Sequence, residues 1–129
     1  MRKLTAFFFA ILIASLASAS HASTEGTGPK WQPWSDTVFE QARREDRFVI
    51  LYLEAVWCHW CHVMDEKTYS DPGVNATIAQ RYIPVRVDQD SRPDLARRYE
   101  NYGWPATIVF NADGEEIVKI GRASCRERV

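Results

Sequence analysis

In this 129-residue chain, the residues whose types and spacing best fit a chemical function are two cysteines, Cys58 and Cys61, which are separated by two residues. On a helix such a pair spans one turn, so its thiols can close a disulfide and reopen it. At the N-terminus of a helix, the helix dipole and the free N–H groups stabilise the thiolate of the first cysteine. The pattern therefore predicts a redox-active centre.

The elements that must position this pair are a strand before it and a helix after it. Residues 48–55 are apolar almost throughout, with Glu54 as the only charged residue, which is typical of a central strand covered on both faces. Residues 58–69 are compatible with a helix, and Asp71 followed by Pro72 predicts the start of a second helix. The strand and the motif helix place the cysteines at a strand-to-helix junction.

Further elements complete an α/β pattern. They are a helix over residues 37–46 with a capping box of Thr37 and Glu40, a strand over 83–88, a helix over 93–99, and strands over 107–111 and 116–119 joined by a turn at Asp113-Gly114. The order β-α-β followed by a hairpin predicts parallel pairing of the first two strands, with the motif helix as part of the crossover.

The first 22 residues have the three parts of a secretory signal: Arg2-Lys3, an apolar run, and small residues ending at Ala22. The apolar run is about 13 residues long, short of the roughly 20 that a membrane span needs. We therefore predict cleavage, periplasmic localisation and no stable membrane insertion afterwards. Residues 23–33 are rich in Gly, Pro and Thr and are predicted to be a linker, which leaves 34–119 as the domain.

The last ten residues, 120–129, resemble one reading frame of a common sequencing-adapter oligonucleotide translated as if it were coding. We expect this tail to be non-native and the chain to be a fragment; the alternative is an ordinary basic tail. Recovery of the same gene with a different continuation after Lys119 is the expected outcome. Discounting Cys125 leaves one close cysteine pair in a secreted chain, which favours catalysis over a structural disulfide.

The charge of the central region is mildly acidic. Residues 23–119 contain 11 Lys and Arg against 16 Asp and Glu, a net charge of −5. This balance gives no support for nucleic acid or an anionic membrane surface as a partner.

Residues 34–119 resemble a thioredoxin-like domain, close to periplasmic proteins related to the C-terminal domain of the disulfide interchange protein DsbD. The stretch from Cys58 to Met64, with Val87-Asp88 and the run Ser91 to Asp94, is also similar to the N-terminal domain of the YyaL/spermatogenesis-associated family. The resemblance implies a central mixed sheet with flanking helices. The final helix usual in that fold has no counterpart in residues 34–119.

The same resemblance implies roles for individual residues. Cys58 corresponds to the exposed attacking thiolate and Cys61 to the buried resolving thiol, with a reversible disulfide between them. Trp104-Pro105 stands at the position of the family's cis-proline, which exposes the backbone of Trp104 to a substrate peptide. The implied reaction is thiol-disulfide exchange, more in the reducing direction, with disulfide-containing or thiol proteins of the envelope and an upstream membrane electron donor as partners. No cofactor or metal is expected.

Several neighbours have an open role. His59, when protonated, favours the thiolate, or it is an exposed residue without a role. Trp57 and Trp60 form an apolar rim for peptide contact, or they pack into the domain.

Many thioredoxins carry a buried acid six residues before the first cysteine, and Tyr52 occupies that position here. Glu54 lies on the same face of the strand by alternation. It either relays the proton of Cys61 or is a solvent-exposed or salt-bridged carboxylate.

Three alternatives compete with the redox interpretation. Cys58, Cys61 and His62 match the C-x-x-C-H signature of covalent haem c attachment, although the preceding buried strand and Trp104-Pro105 favour a redox domain. The same three residues share one helix face and could bind a metal, but three ligands make an incomplete structural zinc site. Finally, the domain could be a non-catalytic module of a longer protein.

Overall fold

The computed structural model describes residues 28–121. Its elements are α1 (Thr37–Glu45), β1 (Phe48–Glu54), α2 (His59–Met64), a π-helix (Asp65–Tyr69), α3 (Pro72–Arg81), β2 (Tyr82–Asp88), α4 (Pro93–Tyr99), a 3-10 turn (Glu100–Tyr102), β3 (Ala106–Phe110) and β4 (Glu116–Gly121). The predicted signal peptide, residues 23–27 of the predicted linker and residues 122–129 of the predicted tail lie outside the described residues.

The strands form one mixed sheet in the order β2-β1-β3-β4. β1 pairs parallel with β2 and antiparallel with β3, and β3 pairs antiparallel with β4. The α/β class and the central position of the first strand are thus confirmed. The crossover from β1 to β2 runs through α2 and α3, and α2 begins shortly after β1 ends. The cysteine motif therefore lies at the carboxyl end of β1.

Side chains of β1 alternate between two core clusters. Leu51 and Leu53 point into the cluster that also contains residues of α1 and α4. Tyr52 points into the other cluster, with Cys58, Cys61, Tyr69 and Ile78 as buried members. A strand covered on both faces has little need for polar positions, which explains why the only charged residue of β1 is Glu54 at its end.

The prediction of a linker over 23–33 is corrected for residues 28–33, which are packed against the domain. The N–H of Gln32 donates to the carbonyl oxygen of Pro84 across 3.0 Å, and the N–H of Arg86 donates to that of Gln32 across 3.1 Å, forming a parallel bridge at the free edge of β2. Trp31 packs into the cluster around Tyr52. Its large apolar surface outweighs the turn-forming composition around it.

Helix termini differ from the predictions in two places. The capping box on α1 is wrong, because Asp36 is the N-cap residue, no side chain caps the helix, and the Thr37 hydroxyl instead lies 2.8 Å from that of Ser35. The motif helix is α-helical only to Met64 and continues as a π-helix. The predicted cap of α3 is confirmed, since Asp71 accepts a hydrogen bond from the N–H of Val74 at 2.9 Å.

One face of the sheet carries an open apolar groove of about 580 Å³. It is lined by Ile50, Val109 and Ile120 from the strands and by side chains of the π-helix and α3. Ile120 is 51% exposed.

β4 extends further than predicted. Ile120 and Gly121 pair with Thr107 and Ala106, so the first two residues of the predicted non-native tail lie in the sheet. The non-native origin of that tail stays a prediction. None of the helices in residues 28–121 is long and apolar enough to cross a bilayer.

Candidate redox site at the start of α2

Cys58 and Cys61 meet where the chain leaves β1 and enters α2. Cys58 is the N-cap residue of α2, and its backbone N–H donates to the carbonyl oxygen of Ala55 across 3.0 Å. The two side chains form a disulfide, with their Cα atoms 5.3 Å apart. Cys61 is fully buried and Cys58 is 6% exposed. Cys58 is therefore the more accessible of the two, but less exposed than the resemblance to thioredoxin-like domains implies.

The helix start supplies a donor to the first cysteine. The N–H of Cys61 lies 3.2 Å from Sγ of Cys58 and donates to it. When the disulfide opens, this N–H and the positive end of the helix dipole both stabilise a negative charge on that sulfur. The side chain that caps the helix is thus the one suited to be the thiolate.

Exposed apolar side chains surround the accessible cysteine. Val56, Trp57 and Trp60 are 69%, 63% and 48% exposed. Trp57 donates from Nε1 to Oδ2 of Asp90 across 3.1 Å, which fixes its ring at the surface. Of the two roles predicted for Trp57, packing into the domain is therefore not what the structure shows. The His59 ring is exposed and lies 5.3 Å from the Trp60 ring, edge to face.

Trp104 and Pro105 immediately precede β3. The peptide bond between them is cis. β3 pairs with β1 so that Ala106 lies opposite Leu53, close to the carboxyl end of β1. The half-buried Trp104 side chain packs against both core clusters, one of which contains Cys58 and Cys61. The fold thus places these residues beside the cysteine motif.

Glu54 is salt-bridged, the second of the two alternatives stated for it. It is 8% exposed, and its Oε1 accepts a hydrogen bond from Nε of Arg86 at 3.2 Å. Nη2 of Arg86 also lies 3.0 Å from Oδ2 of Asp65. Burial acts to lower the pKa of Arg86, but its carboxylate partners, Glu54 first, raise that pKa above the ordinary value. Arg86 therefore stays charged and holds both carboxylates.

Tyr52 is a site residue whose contact the sequence did not predict. Its fully buried hydroxyl donates to the carbonyl oxygen of Cys61 across 3.0 Å. The Arg86 guanidinium lies 5.2 Å from the centre of its ring. Burial raises the pKa of Tyr52 well above its ordinary value, and the charge of Asp65 adds to the shift. The only sequence signal was a tyrosine at the position where many thioredoxins have an acid.

An aromatic cluster closes the site from behind. The Tyr52 ring centre lies 4.7 Å from that of Tyr69 and 5.4 Å from that of Trp31, and Trp31 meets Tyr69 edge to face at 4.9 Å. Burial raises the pKa of Tyr69 to about 12. The three rings, Tyr52 of β1, Tyr69 of the π-helix and Trp31 of the N-terminal segment, thus together support α2, the helix that carries the cysteine motif.

The ligands of the haem and metal alternatives are engaged elsewhere. Both sulfurs are joined to each other in the disulfide form. Nε2 of His62 lies 2.9 Å from the carbonyl oxygen of Val56. Within residues 28–121 no three His, Cys, Asp or Glu side chains are grouped so that they could hold a metal ion.

Comparison with known proteins agrees with this geometry. The model of the Thioredox_DsbH family, described as "Protein of unknown function, DUF255", matches residues 18–128. Thiol:disulfide interchange protein DsbD 1 of Pseudomonas aeruginosa is 31% identical over 124 residues, covering 84% of this chain and 21% of that protein. Spermatogenesis-associated protein 20 of Homo sapiens is 29% identical over 96 residues, covering 68% of this chain and 12% of that protein. The chain therefore spans only a small part of either relative.

Solved structures show the same fold. The solution structure of a thioredoxin from Thermus thermophilus has a TM-score of 0.61 at 26% identity, covering 78% of this chain and 83% of that chain. A structure named DsbH Oxidoreductase also has a TM-score of 0.61, at 18% identity, covering 81% of this chain and 83% of that chain. The thioredoxin-like fold and the likeness to DsbD expected from the sequence are confirmed.

Proposed function

Because the chain belongs to the Thioredox_DsbH family and is similar to thiol:disulfide interchange protein DsbD 1, we propose that Cys58 and Cys61 are its working redox pair. The observation that carries this proposal is the 3.2 Å hydrogen bond from the N–H of Cys61 to Sγ of Cys58. A sulfur at a helix N-cap with an amide donor is the arrangement that favours a reactive thiolate.

The reaction is thiol-disulfide exchange. The Cys58 thiolate attacks one sulfur of a substrate disulfide, so a mixed disulfide forms and the other substrate sulfur leaves as a thiolate. The Cys61 thiol loses its proton and attacks Sγ of Cys58, which releases the second substrate sulfur. Two electrons pass from the pair to the substrate, and the pair ends as the disulfide seen in the structure.

We assign the protein to the reducing direction and to the cell envelope. The resemblance of residues 34–119 to the C-terminal domain of DsbD, stated in the sequence analysis, favours the first assignment, and the sequence pattern of residues 1–22 favours the second. Each turnover leaves the pair oxidised, so a dithiol electron donor must reduce it again. A membrane protein that carries electrons outward is the partner that fits this need.

The surface around Cys58 suits a protein substrate. Val56, Trp57 and Trp60 offer an exposed apolar rim on which residues next to a substrate disulfide can pack. Trp104 precedes the strand beside β1, where its backbone can pair with an extended substrate segment.

The supporting roles of His59 and Glu54 differ. His59 follows Cys58 in sequence, and only the cationic form of its exposed ring would favour the Cys58 thiolate through charge. The Glu54 carboxylate is held by Arg86, so we assign it a structural role rather than the relay of the Cys61 proton.

Reduction of insulin by dithiothreitol tests the proposal, with the full chain in a Cys125→Ser background so that only the motif thiols react. We expect the protein to accelerate insulin precipitation and Cys58→Ser to abolish the acceleration. Equal rates for the two proteins would refute the catalytic role. The reduction potential of the pair tests the direction: a value below about −230 mV supports a reductase, and one near −120 mV supports an oxidant.

A further inference from the structure

We propose that Tyr52 is a positioning residue for the Cys58–Cys61 pair and acts through the carbonyl oxygen of Cys61, an inference that rests on the function proposed above. Tyr52 touches neither sulfur in a hydrogen bond. Its hydroxyl donates to the Cys61 carbonyl across 3.0 Å, in the buried interior of the domain. A hydroxyl therefore stands where many thioredoxins have an acid.

The contact fixes the residue that supplies the donor to the nucleophile. The backbone of Cys61 is held at its carbonyl by the Tyr52 hydroxyl and also by the N–H of Asp65. The backbone N–H of Cys61 itself donates to Sγ of Cys58. Because its carbonyl is held, the N–H of Cys61 stays directed at Sγ of Cys58. An amide donor stabilises a thiolate only when it is well aligned with the sulfur.

Tyr52 is itself held on several sides. Its ring packs against Trp31 and Tyr69, and the Arg86 guanidinium lies 5.2 Å from its centre. The charged groups that face it are Arg86 and Glu54 from the sheet and Asp65 from the π-helix. Arg86 is fixed in turn by both carboxylates. The hydroxyl is therefore a donor with a fixed direction.

A tyrosine differs from a carboxylate at this position in one functional respect. A tyrosine hydroxyl with its ordinary pKa of 10.0 is already neutral at physiological pH, and burial raises the pKa of Tyr52 further. It donates to the Cys61 carbonyl over the whole physiological pH range, whereas a carboxylate would titrate and accept. The pair is thus supported by a neutral donor whose effect does not change with pH.

Tyr52→Phe is the direct test, since it removes the hydroxyl and keeps the ring. Tyr69→Phe is the matched control: it keeps the ring that packs on Tyr52 and removes a buried hydroxyl that no hydrogen bond within residues 28–121 joins to the motif. We expect Tyr52→Phe to raise the pKa of the Cys58 thiol by about half a unit. The equilibrium with glutathione should shift about threefold toward the protein disulfide, which corresponds to about 14 mV. Both quantities should stay at wild-type values in Tyr69→Phe.

A second variant guards against loss of folding. Fluorotyrosine at position 52 keeps the ring and strengthens the donor, so it should lower the Cys58 pKa and shift the glutathione equilibrium the opposite way. Wild-type values in both Tyr52 variants, or equal shifts in Tyr69→Phe, would overturn the proposal. Because both readouts concern the cysteine pair alone, they report on Tyr52 even if the protein turns over no protein disulfide.

Discussion

The N–H of Cys61 donates to Sγ of Cys58 across 3.2 Å, so the backbone of the second cysteine is placed to stabilise a negative charge on the sulfur of the first. The relationship is asymmetric, because Cys61 is fully buried and Cys58 keeps a small accessible area at the helix start. This asymmetry assigns the nucleophile to Cys58 and the resolving thiol to Cys61 in the function proposed here.

Replacing each cysteine separately should give different products. We expect Cys61→Ala, in the Cys125→Ser background, to accumulate a mixed disulfide with insulin because nothing resolves it. Cys58→Ala should form little adduct, since Cys61 is buried. Non-reducing electrophoresis and mass spectrometry of the adduct measure this. Equal adduct formation by both variants would contradict the assignment of roles.

Trp31 should contribute to stability although it lies in a segment with the composition of a linker. Trp31→Ala removes its contacts with Tyr52 and Tyr69 and should lower the free energy of unfolding by roughly 2–4 kcal/mol. Trp57→Ala serves as the control, because a ring that is 63% exposed should cost less than about 0.5 kcal/mol. Urea unfolding at neutral pH measures both. Similar losses in the two variants would show that residues 28–33 are not docked as described.

The paired carboxylates should make Arg86 important for stability. Arg86→Ala leaves Glu54 buried without its cation, and we expect a loss of roughly 1–3 kcal/mol in the free energy of unfolding. Arg92→Ala breaks a 2.6 Å ion pair with Asp94 that is solvent-exposed, so it should lower the free energy of unfolding much less than Arg86→Ala does. Chemical denaturation compares the two arginines. An Arg92 variant as unstable as the Arg86 variant would contradict the difference in burial.

Glu116 should give the protein part of its sensitivity to acid. Its carboxylate accepts hydrogen bonds from Lys119 and from the Tyr99 hydroxyl and pairs with Arg98, which lowers its pKa below the ordinary 4.5. A carboxyl whose pKa is lower in the folded state stabilises the protein fully above the unfolded pKa. That stabilisation is lost as the pH falls through the folded pKa.

Thermal unfolding from pH 6 to pH 3 measures this effect. We expect Glu116→Gln to have a lower melting temperature than the wild type at pH 6, and the difference to shrink as the pH approaches 3. A constant difference across the range would show that the ionisation of Glu116 does not contribute.

Local sequence signals were sufficient to predict the helices and strands and the position of the cysteine pair. The spacing of Cys58 and Cys61, the apolar run of β1 and the Asp71-Pro72 helix start each act within a few residues of chain. Their outcome depends on backbone preferences and on burial, which a short segment carries with it. The order of strands and helices then limits the possible sheet topologies to a few.

Contacts between distant segments were decided only by the tertiary structure. Trp31 docks on Tyr69, Arg86 joins Glu54 to Asp65, and Tyr52 reaches the carbonyl of Cys61. Each contact needs a partner residue that the fold brings near. It also needs the two side chains to be buried enough that their contact is more favourable than contact with water. The sequence by itself determined that a cysteine pair would stand at the start of a helix. The tertiary structure decided which side chains hold that helix, because packing depends on every segment at once.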